Sequence, residues 1–217
     1  WEIRNKNEEE VSMGVLDGKV AIVTGAGRLR GIGRAAALAL AELGADIAIT
    51  GTGRDPDKYP PDEKAVGWRD IESTAAQVRE RGRRSLPLVA DVVKSVDVKH
   101  TVATVLKELG RVDFLINNSA FARGADRVPL SELSEELWHQ VLEIKLTGSF
   151  LMSKEVLPTM IQQGQGGAII NISSIAGVTA MGSNVAYCAS KAALDSMTKS
   201  LARALAPEIR VVSVSPG

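Results

Sequence analysis

The feature that most constrains the fold is an alternation, from Lys19 onward, between short apolar runs rich in β-branched residues and longer segments of helical character. Such runs are typical of parallel strands buried on both faces of a sheet. We predict strands at Val20–Thr24, Asp46–Thr50, Ser85–Ala90, Val112–Ile116, Ala168–Ser173 and Arg210–Val214. We predict helices at Ile32–Leu43, Trp68–Arg81, Val96–Leu109, Ser131–Gln162 and Val185–Ala206. Strands joined by crossover helices in this way give an α/β fold with a doubly wound parallel sheet.

Charge and cysteine content exclude several classes of protein. The chain has 26 basic and 26 acidic side chains, so its net charge gives no reason to expect a nucleic-acid or anionic-membrane partner. No apolar run is long enough to span a bilayer, for which about 18 residues are needed. A single cysteine, Cys188, cannot form an internal disulfide, which is typical of a reducing compartment. We therefore expect a cytoplasmic protein.

A glycine-rich segment, Thr24–Gly33, lies between the first predicted strand and the first predicted helix. Glycines at Gly25, Gly31 and Gly33 allow a sharp turn and the close approach of a pyrophosphate, which the N-terminus of the helix would attract. The alternative is a tight strand-to-helix turn with no ligand. Arg30 lies within this segment, either near an additional phosphate or in solvent.

The residues after the second strand bear on the type of dinucleotide. An acid about 20 residues beyond the glycines would accept the 2′-hydroxyl of NAD and repel the 2′-phosphate of NADP. No acid occurs here before Asp55, whereas Arg30, Thr52 and Arg54 are candidate phosphate partners. The sequence therefore favours NADP. NAD remains the alternative if Asp55 or Asp57 folds back from the long loop that follows.

A third pattern combines a helix and the strand before it. Tyr187 and Lys191 are one helical turn apart, so the lysine ammonium would favour the ionised form of the phenol. On its own this pair is most often a surface pair. However, a buried strand just before the helix ends in hydroxyls at Ser173 and Ser174, at the sheet edge where α/β proteins bind ligands.

Together these segments resemble the classical short-chain dehydrogenase/reductase (SDR) family, and the resemblance extends from Gly18 to Gly217. The matching segments, in order, are Thr24–Gly33, Ala90-Asp91-Val92, Asn117-Asn118-Ser119-Ala120, Ser174, Tyr187, Lys191 and Pro216-Gly217. The resemblance implies one NAD(P)-binding, Rossmann-like domain over residues 14–217. It also implies an oxidoreductase that transfers a hydride between a nicotinamide cofactor and a carbonyl or secondary alcohol.

The same resemblance implies roles for individual residues. Tyr187 would donate or accept the proton at the substrate oxygen, and Ser174 would bind that oxygen. Lys191 would bind the nicotinamide ribose and lower the Tyr187 pKa. Asp91 and Val92 would contact the adenine, and Asn117 would line the cofactor groove. The full implied cofactor set is Gly25, Arg30, Gly31, Ile32, Gly33, Thr52, Asp91, Val92, Asn117, Ser119, Tyr187, Lys191, Pro216 and Gly217.

One departure from the family pattern concerns Lys145, because the family usually has asparagine at this position. That asparagine orients a water molecule in a proton relay to the active-site lysine. A second ammonium near Lys191 would be unfavourable unless Lys145 is neutral or turned away.

Other functions and an assembly also follow from the sequence. The alternatives to an NADPH-preferring enzyme are an NAD-dependent alcohol dehydrogenase working in the oxidative direction and a module that binds NAD(P) without turnover.

The two longest predicted helices have more apolar positions than one core face needs. In the family these helices form a subunit interface, so we expect a homodimer or homotetramer. We expect no metal site, because His100 and His139 lie apart and lack ligands at suitable spacing.

The two ends of the chain carry separate predictions. Residues 1–13 are charged and lack periodicity, and we interpret them as an upstream extension or a disordered tail. The last residues follow directly on a predicted strand, and in the family a substrate loop and a final strand come next. We therefore expect a single domain that lacks its last strand, with Arg210–Val214 as an exposed sheet edge.

Overall fold

The computed structural model describes residues 14–121, 127–181 and 184–217. The N-terminal extension predicted for residues 1–13 lies outside the described residues. Of the helices in the described parts of the chain, none is both long and apolar enough to cross a membrane.

The described residues form a six-stranded, fully parallel sheet in the order β3-β2-β1-β4-β5-β6. Its strands are β1 (Val20–Val23), β2 (Asp46–Gly51), β3 (Ser85–Val89), β4 (Phe114–Asn117), β5 (Ala168–Ile172) and β6 (Arg210–Val214). The predicted strands are confirmed, with ends that move by one or two residues. The order reverses between β1 and β4, and such a switch point is where open α/β sheets bind their ligands. β6 lies at the edge of the sheet, as predicted.

The helices cover both faces of this sheet. They are α1 (Ile32–Glu42), α2 (Pro61–Ala65), α3 (Asp70–Arg79), α4 (Ser95–Leu109), α5 (Glu135–Leu142), α6 (Gly148–Gln163), α7 (Ala176–Thr179) and α8 (Val185–Leu205). One apolar cluster packs α4 and α6 against one face, and a second packs α1 and α3 against the other. The doubly wound α/β fold predicted from the sequence is therefore confirmed.

The prediction of a single long helix over Ser131–Gln162 is wrong in detail. The structure divides it into a 3-10 turn (Leu130–Glu132), α5, a π-helical turn (Glu143–Thr147) and α6. Gly148 follows the π turn, and a Cβ there would approach the Val92 side chain to 2.5 Å. Glycine thus lets the helix pass close to the end of β3. Apolar periodicity does not reveal a π turn, which is a single wider turn within an α-helix.

Candidate functional site

The glycine-rich segment lies at the switch point of the sheet. Gly25 follows β1 with a positive φ of 67°, and a Cβ on it would meet Ser119 Cα at 2.8 Å. A Cβ on Gly33 would meet Asn118 Nδ2 at 2.4 Å. These two glycines therefore bring the turn against the loop after β4. Gly31 precedes the first residue of α1, Ile32, so the N-terminus of α1 opens onto the same groove.

The loop after β4 closes the other side of this turn. The Thr24 hydroxyl accepts hydrogen bonds from the backbone N–H groups of Asn118 (3.0 Å) and Ser119 (3.1 Å). The Asn118 side-chain amide donates to the carbonyl oxygens of Thr24 and Gly25 at 2.9 and 3.0 Å. The two chain segments that border the groove are thus joined by hydrogen bonds.

Two residues expected in the groove lie in the interior instead. Asn117 is buried and donates to Asn171 Oδ1 at 2.9 Å and to Ser153 Oγ at 3.1 Å, so its side chain does not line the groove as expected. Asn118, the next residue, takes that place. Successive strand residues point to opposite faces, so a motif alone does not show which asparagine faces a ligand. Val92 is also buried in the core, whereas Asp91 is partly buried and accepts a hydrogen bond from Val93 N at 3.2 Å.

The long loop after β2 is more ordered than its composition indicates. It contains a 3-10 turn (Pro56–Lys58) and α2, and it leads into α3. Trp68 Nε1 donates to the Gly27 carbonyl oxygen at 2.6 Å, and the Thr74 hydroxyl donates to the Ala26 carbonyl oxygen at 2.8 Å. The segment after β2 is therefore bonded directly to the glycine-rich turn.

Arg54 is the centre of this contact and does not lie open to a phosphate. Its guanidinium donates to Asp70 Oδ1 at 2.9 Å, to Glu63 Oε2 at 2.9 Å and to the Gly27 carbonyl oxygen at 3.1 Å. Both carboxylates are buried, and Glu63 also accepts from Leu29 N at 2.9 Å. We call this set, Arg54, Glu63 and Asp70, the acidic clasp. Neither acid was predicted from the sequence, since both lie beyond the usual position after the second strand.

The other candidate phosphate partners lie at the surface. Arg30 is paired with Asp62 at 3.1 Å, with 83% of its side chain exposed. Thr52 is exposed. Asp55 caps the 3-10 turn by accepting a hydrogen bond from Asp57 N at 3.0 Å. It therefore does not fold back toward the glycine-rich turn, as recognition of NAD by Asp55 would require. Because Arg54 is paired with Glu63 and Asp70, the expectation that it would bind a 2′-phosphate is not supported.

At the other end of the groove, the predicted catalytic residues come together. Ser174 follows β5, and Tyr187 and Lys191 lie in the first two turns of α8, where Asn184 caps the helix by accepting from Tyr187 N at 2.7 Å. All three line one cavity of about 510 Å³, a size suited to a small ligand. Its described lining also includes Ile32, Asn118, Arg127, Lys145, Pro216 and Gly217.

The Ser174 hydroxyl and the Lys191 amine are each hydrogen-bonded to backbone groups of this pocket. The Ser174 hydroxyl accepts from Ala176 N at 3.2 Å and lies 3.5 Å from the Pro216 carbonyl oxygen. The Lys191 ammonium donates to the Ile172 carbonyl oxygen. Because this contact and burial hold its amine in one place, Lys191 is fixed beside the Tyr187 ring, 5.8 Å from the ring centroid.

Lys145 also reaches this pocket, so of the two options left by the sequence, neutral or turned away, the second is excluded. It lies in the π turn, is only 3% exposed, and its Nζ is 4.6 Å from the Tyr187 ring centroid. Burial lowers the pKa of Lys191 to about 7, and the charge of Lys145 adds to that shift, while Asp195 opposes it. Two lysine side chains therefore lie near one phenol.

Over the residues that the structure describes, no group of three His, Cys, Asp or Glu side chains is arranged to hold a metal ion. Cys188 is a free thiol. The described lining of the cavity offers the hydroxyl of Ser174, the phenol of Tyr187, the amines of two lysines, the guanidinium of Arg127 and the amide of Asn118.

Comparisons with known proteins agree with this geometry. Residues 19–217 match the family model described as short chain dehydrogenase. An NAD-dependent glycerol dehydrogenase of Listeria innocua is 38% identical over 91% of this chain and 69% of its own length. A 3-oxoacyl-[acyl-carrier-protein] reductase of Staphylococcus epidermidis is 36% identical over 92% of this chain and 74% of its own length. The crystal structure of an NAD⁺-bound xylitol dehydrogenase superposes with a TM-score of 0.80 at 37% identity, covering 94% of this chain and 71% of that one.

Proposed function

The chain belongs to the short chain dehydrogenase family of NAD(P)-dependent enzymes that act on alcohols and carbonyls, and from that premise we propose its reaction in more detail. It transfers a hydride between NAD(H) and a secondary alcohol or the corresponding carbonyl compound, and Tyr187 carries the proton at the substrate oxygen. The observation that carries this proposal is the convergence of Ser174, Tyr187 and Lys191 on one cavity beside the glycine-rich turn.

The described residues fit a dinucleotide. The N-terminus of α1 offers unpaired backbone N–H groups to a pyrophosphate. Ile32, Pro216 and Gly217 line the cavity where the nicotinamide half would lie. When bound, the cofactor supplies a hydride donor or acceptor at its nicotinamide ring.

The protein residues supply the proton and the orientation. Ser174 holds the substrate oxygen by a hydrogen bond, so the carbon that exchanges the hydride keeps one position. Tyr187 gives a proton to that oxygen in reduction and takes one in oxidation. Lys191 lies beside the phenol and stabilises its ionised form when the amine is charged.

The acidic clasp supports NAD(H) over NADP(H). Arg54, the cation expected to recognise a 2′-phosphate, is already neutralised by Glu63 and Asp70. A 2′-phosphate near this end of the groove would meet two buried carboxylates, whereas the 2′-hydroxyl of NAD would not be repelled. We therefore do not retain the preference for NADP that the sequence favoured.

We also propose that the protein is a homodimer or a homotetramer assembled through α6 and α8. Large apolar side chains are exposed on these helices, among them Phe150, Ile161 and Val185. Exposed apolar faces of this kind are typical of interfaces between subunits. Sedimentation velocity tests the proposal: we expect a dimer or a tetramer, and a monomer at all concentrations would refute it.

An assay of the purified protein tests the reaction. It is incubated with NAD⁺ and a panel of secondary alcohols and polyols, and with NADH and the matching ketones, while absorbance of the reduced nicotinamide is followed. We expect turnover of at least one alcohol–ketone pair in both directions. Binding of NADH without turnover of any pair would instead identify a module that binds the cofactor and does not catalyse.

A further inference from the structure

Lys145 is only 3% exposed, which is an uncommon degree of burial for a lysine side chain. It belongs to the π turn between α5 and α6, and π turns often occur at functional sites. Its Nζ lies 4.6 Å from the centroid of the Tyr187 ring, and its side chain lines the same cavity. The π turn therefore directs a buried positive charge at the phenol.

Lys191 approaches the same ring from α8. It is 5% exposed, and its Nζ lies 5.8 Å from the ring centroid. The two lysines come from different elements that pack on each other, and each is held near the phenol by its surroundings. Two like charges buried near the same ring disfavour each other, so the charge of Lys145 makes it easier for Lys191 to give up its proton.

The groups around Lys191 act on its protonation in both directions. Burial and the charge of Lys145 together lower the pKa of Lys191 to about 7, whereas Asp195, one turn further along α8, raises it. Arg127 lines the same cavity from the loop before the 3-10 turn at Leu130–Glu132. Lys191 is thus the amine whose protonation changes in the neutral range.

We propose that Lys145 is a positioning residue for proton transfer: its buried charge against the Tyr187 ring sets the protonation state of Lys191, so that Lys191 passes protons instead of remaining a fixed cation. The proposal rests on the proposed function, because it concerns the proton that accompanies hydride transfer. It assigns Lys145 a role through Lys191 and not through contact with substrate.

The proton balance in the oxidative direction is simple. The substrate O–H bond breaks as its proton moves to the Tyr187 phenolate, and the C–H bond of the alcohol carbon supplies the hydride that the cofactor would accept when bound. The phenol O–H bond then breaks as its proton passes to the neutral Lys191 amine. The resulting ammonium releases that proton to water, which restores the neutral amine. In reduction each transfer runs in reverse, with water supplying the proton.

The first test measures Lys191 directly and needs no substrate. The protein is labelled with [ε-¹³C]lysine, the Lys191 signal is assigned from its loss in K191M, and its shift is followed with pH. We expect a midpoint near pH 7 in the unmodified protein. In K145M the midpoint should rise by about one pH unit, because a neighbouring like charge has been removed. K145R, which keeps the charge, should stay near the unmodified value.

Matched variants make this result decisive. K154M removes an exposed lysine from α6 by the same substitution and should leave the Lys191 midpoint unchanged. K145N is a second charge-removing variant with a smaller, polar side chain, and it should shift the midpoint in the same direction as K145M. An unchanged midpoint in both K145M and K145N, or an equal shift in K154M, would overturn the proposal.

The second test follows oxidation as a function of pH. Since neutral Lys191 accepts the proton, kcat/KM should fall as pH drops through the Lys191 midpoint, and K145M should move this acidic limb upward by about one pH unit. If Lys145 had a purely structural role, K145M would lower kcat/KM at every pH and leave the acidic limb in place. That result would contradict the proposal. Absence of turnover in the unmodified protein would refute the proposed function, whereas the NMR midpoints still report whether Lys145 acts on Lys191.

Discussion

The two ends of the groove differ in the charged side chains that they contain. At the glycine-rich end, the guanidinium of Arg54 is shared between two buried carboxylates, Glu63 and Asp70. At the catalytic end, the described lining of the cavity includes Arg127, Lys145 and Lys191 and no carboxylate. Carboxylates buried with a shared guanidinium are paired, and breaking such a pairing is costly. At the catalytic end, burial and, second to it, the charge of Lys145 lower the pKa of Lys191 to about 7.

The largest expected effect concerns the catalytic end. Y187F removes the hydroxyl that exchanges the proton, so turnover should fall by about 10²- to 10⁴-fold. Binding of NADH, followed by its fluorescence, should change little, because the ring and both lysines remain. C188A, a substitution of the next residue on α8, is the control and should keep its turnover. Full activity of Y187F would show that another group carries the proton.

At the glycine-rich end, the acidic clasp should matter for stability. R54M leaves Glu63 and Asp70 buried without their counter-ion, and breaking a buried pair in this way costs about 3–5 kcal/mol. Urea unfolding measures the loss as a lower free energy of unfolding. The triple variant R54M/E63Q/D70N, in which no charge is left unpaired, should recover part of it. A loss in R54M no larger than that of a surface ion pair would contradict the role of the clasp.

The pH dependence of stability separates the two ends further. The pKa of Lys191 is about 7 in the folded protein and 10.5 as its ordinary value, so between these values the unfolded chain binds more protons. The contribution of Lys191 to stability therefore rises with pH across this window and is least favourable below about pH 7. We compare the free energy of unfolding of K191M with that of the unmodified protein. The difference, K191M minus unmodified, should be larger at about pH 6 than at about pH 9 by roughly 1–3 kcal/mol. Equal differences at both pH values would contradict this.

The smallest effect is expected at the surface beside the clasp. Arg30 and Asp62 form an exposed ion pair, and such pairs contribute about 0–1 kcal/mol. R30M should therefore leave the urea midpoint nearly unchanged, and it serves as the matched control for R54M. A loss in R30M as large as that in R54M would mean that burial does not distinguish the two pairs.

The sequence predicted the features that depend on local pattern. The buried strands follow from apolar, β-branched runs, and the glycine-rich turn follows from the glycines between the first strand and the first helix. The resemblance to the short-chain family implied that Ser174, Tyr187 and Lys191 act together, and the structure brings them to one cavity. Their catalytic roles stay predictions.

What the sequence did not predict depends on contacts between distant segments. The partners of Arg54 come from α2 and from the start of α3, and nothing in a loop rich in glycine and proline specifies that it folds back onto Gly27. The orientation of Lys145 depends on a π turn, which has no signal in apolar periodicity. The placement of Asn117 in the interior depends on its bond to Asn171, fifty-four residues along the chain.

The most direct test of the account is a competition between the two cofactors. The protein is titrated with NADH and with NADPH under one set of conditions, and the dissociation constants are compared. Because the clasp neutralises Arg54 and places two carboxylates at the glycine-rich end, we predict that NADH binds more tightly by about tenfold or more, which corresponds to about 1.4 kcal/mol. Binding of NADPH as tight as that of NADH would contradict the account of the clasp, and failure to bind either cofactor would contradict the assignment of the groove.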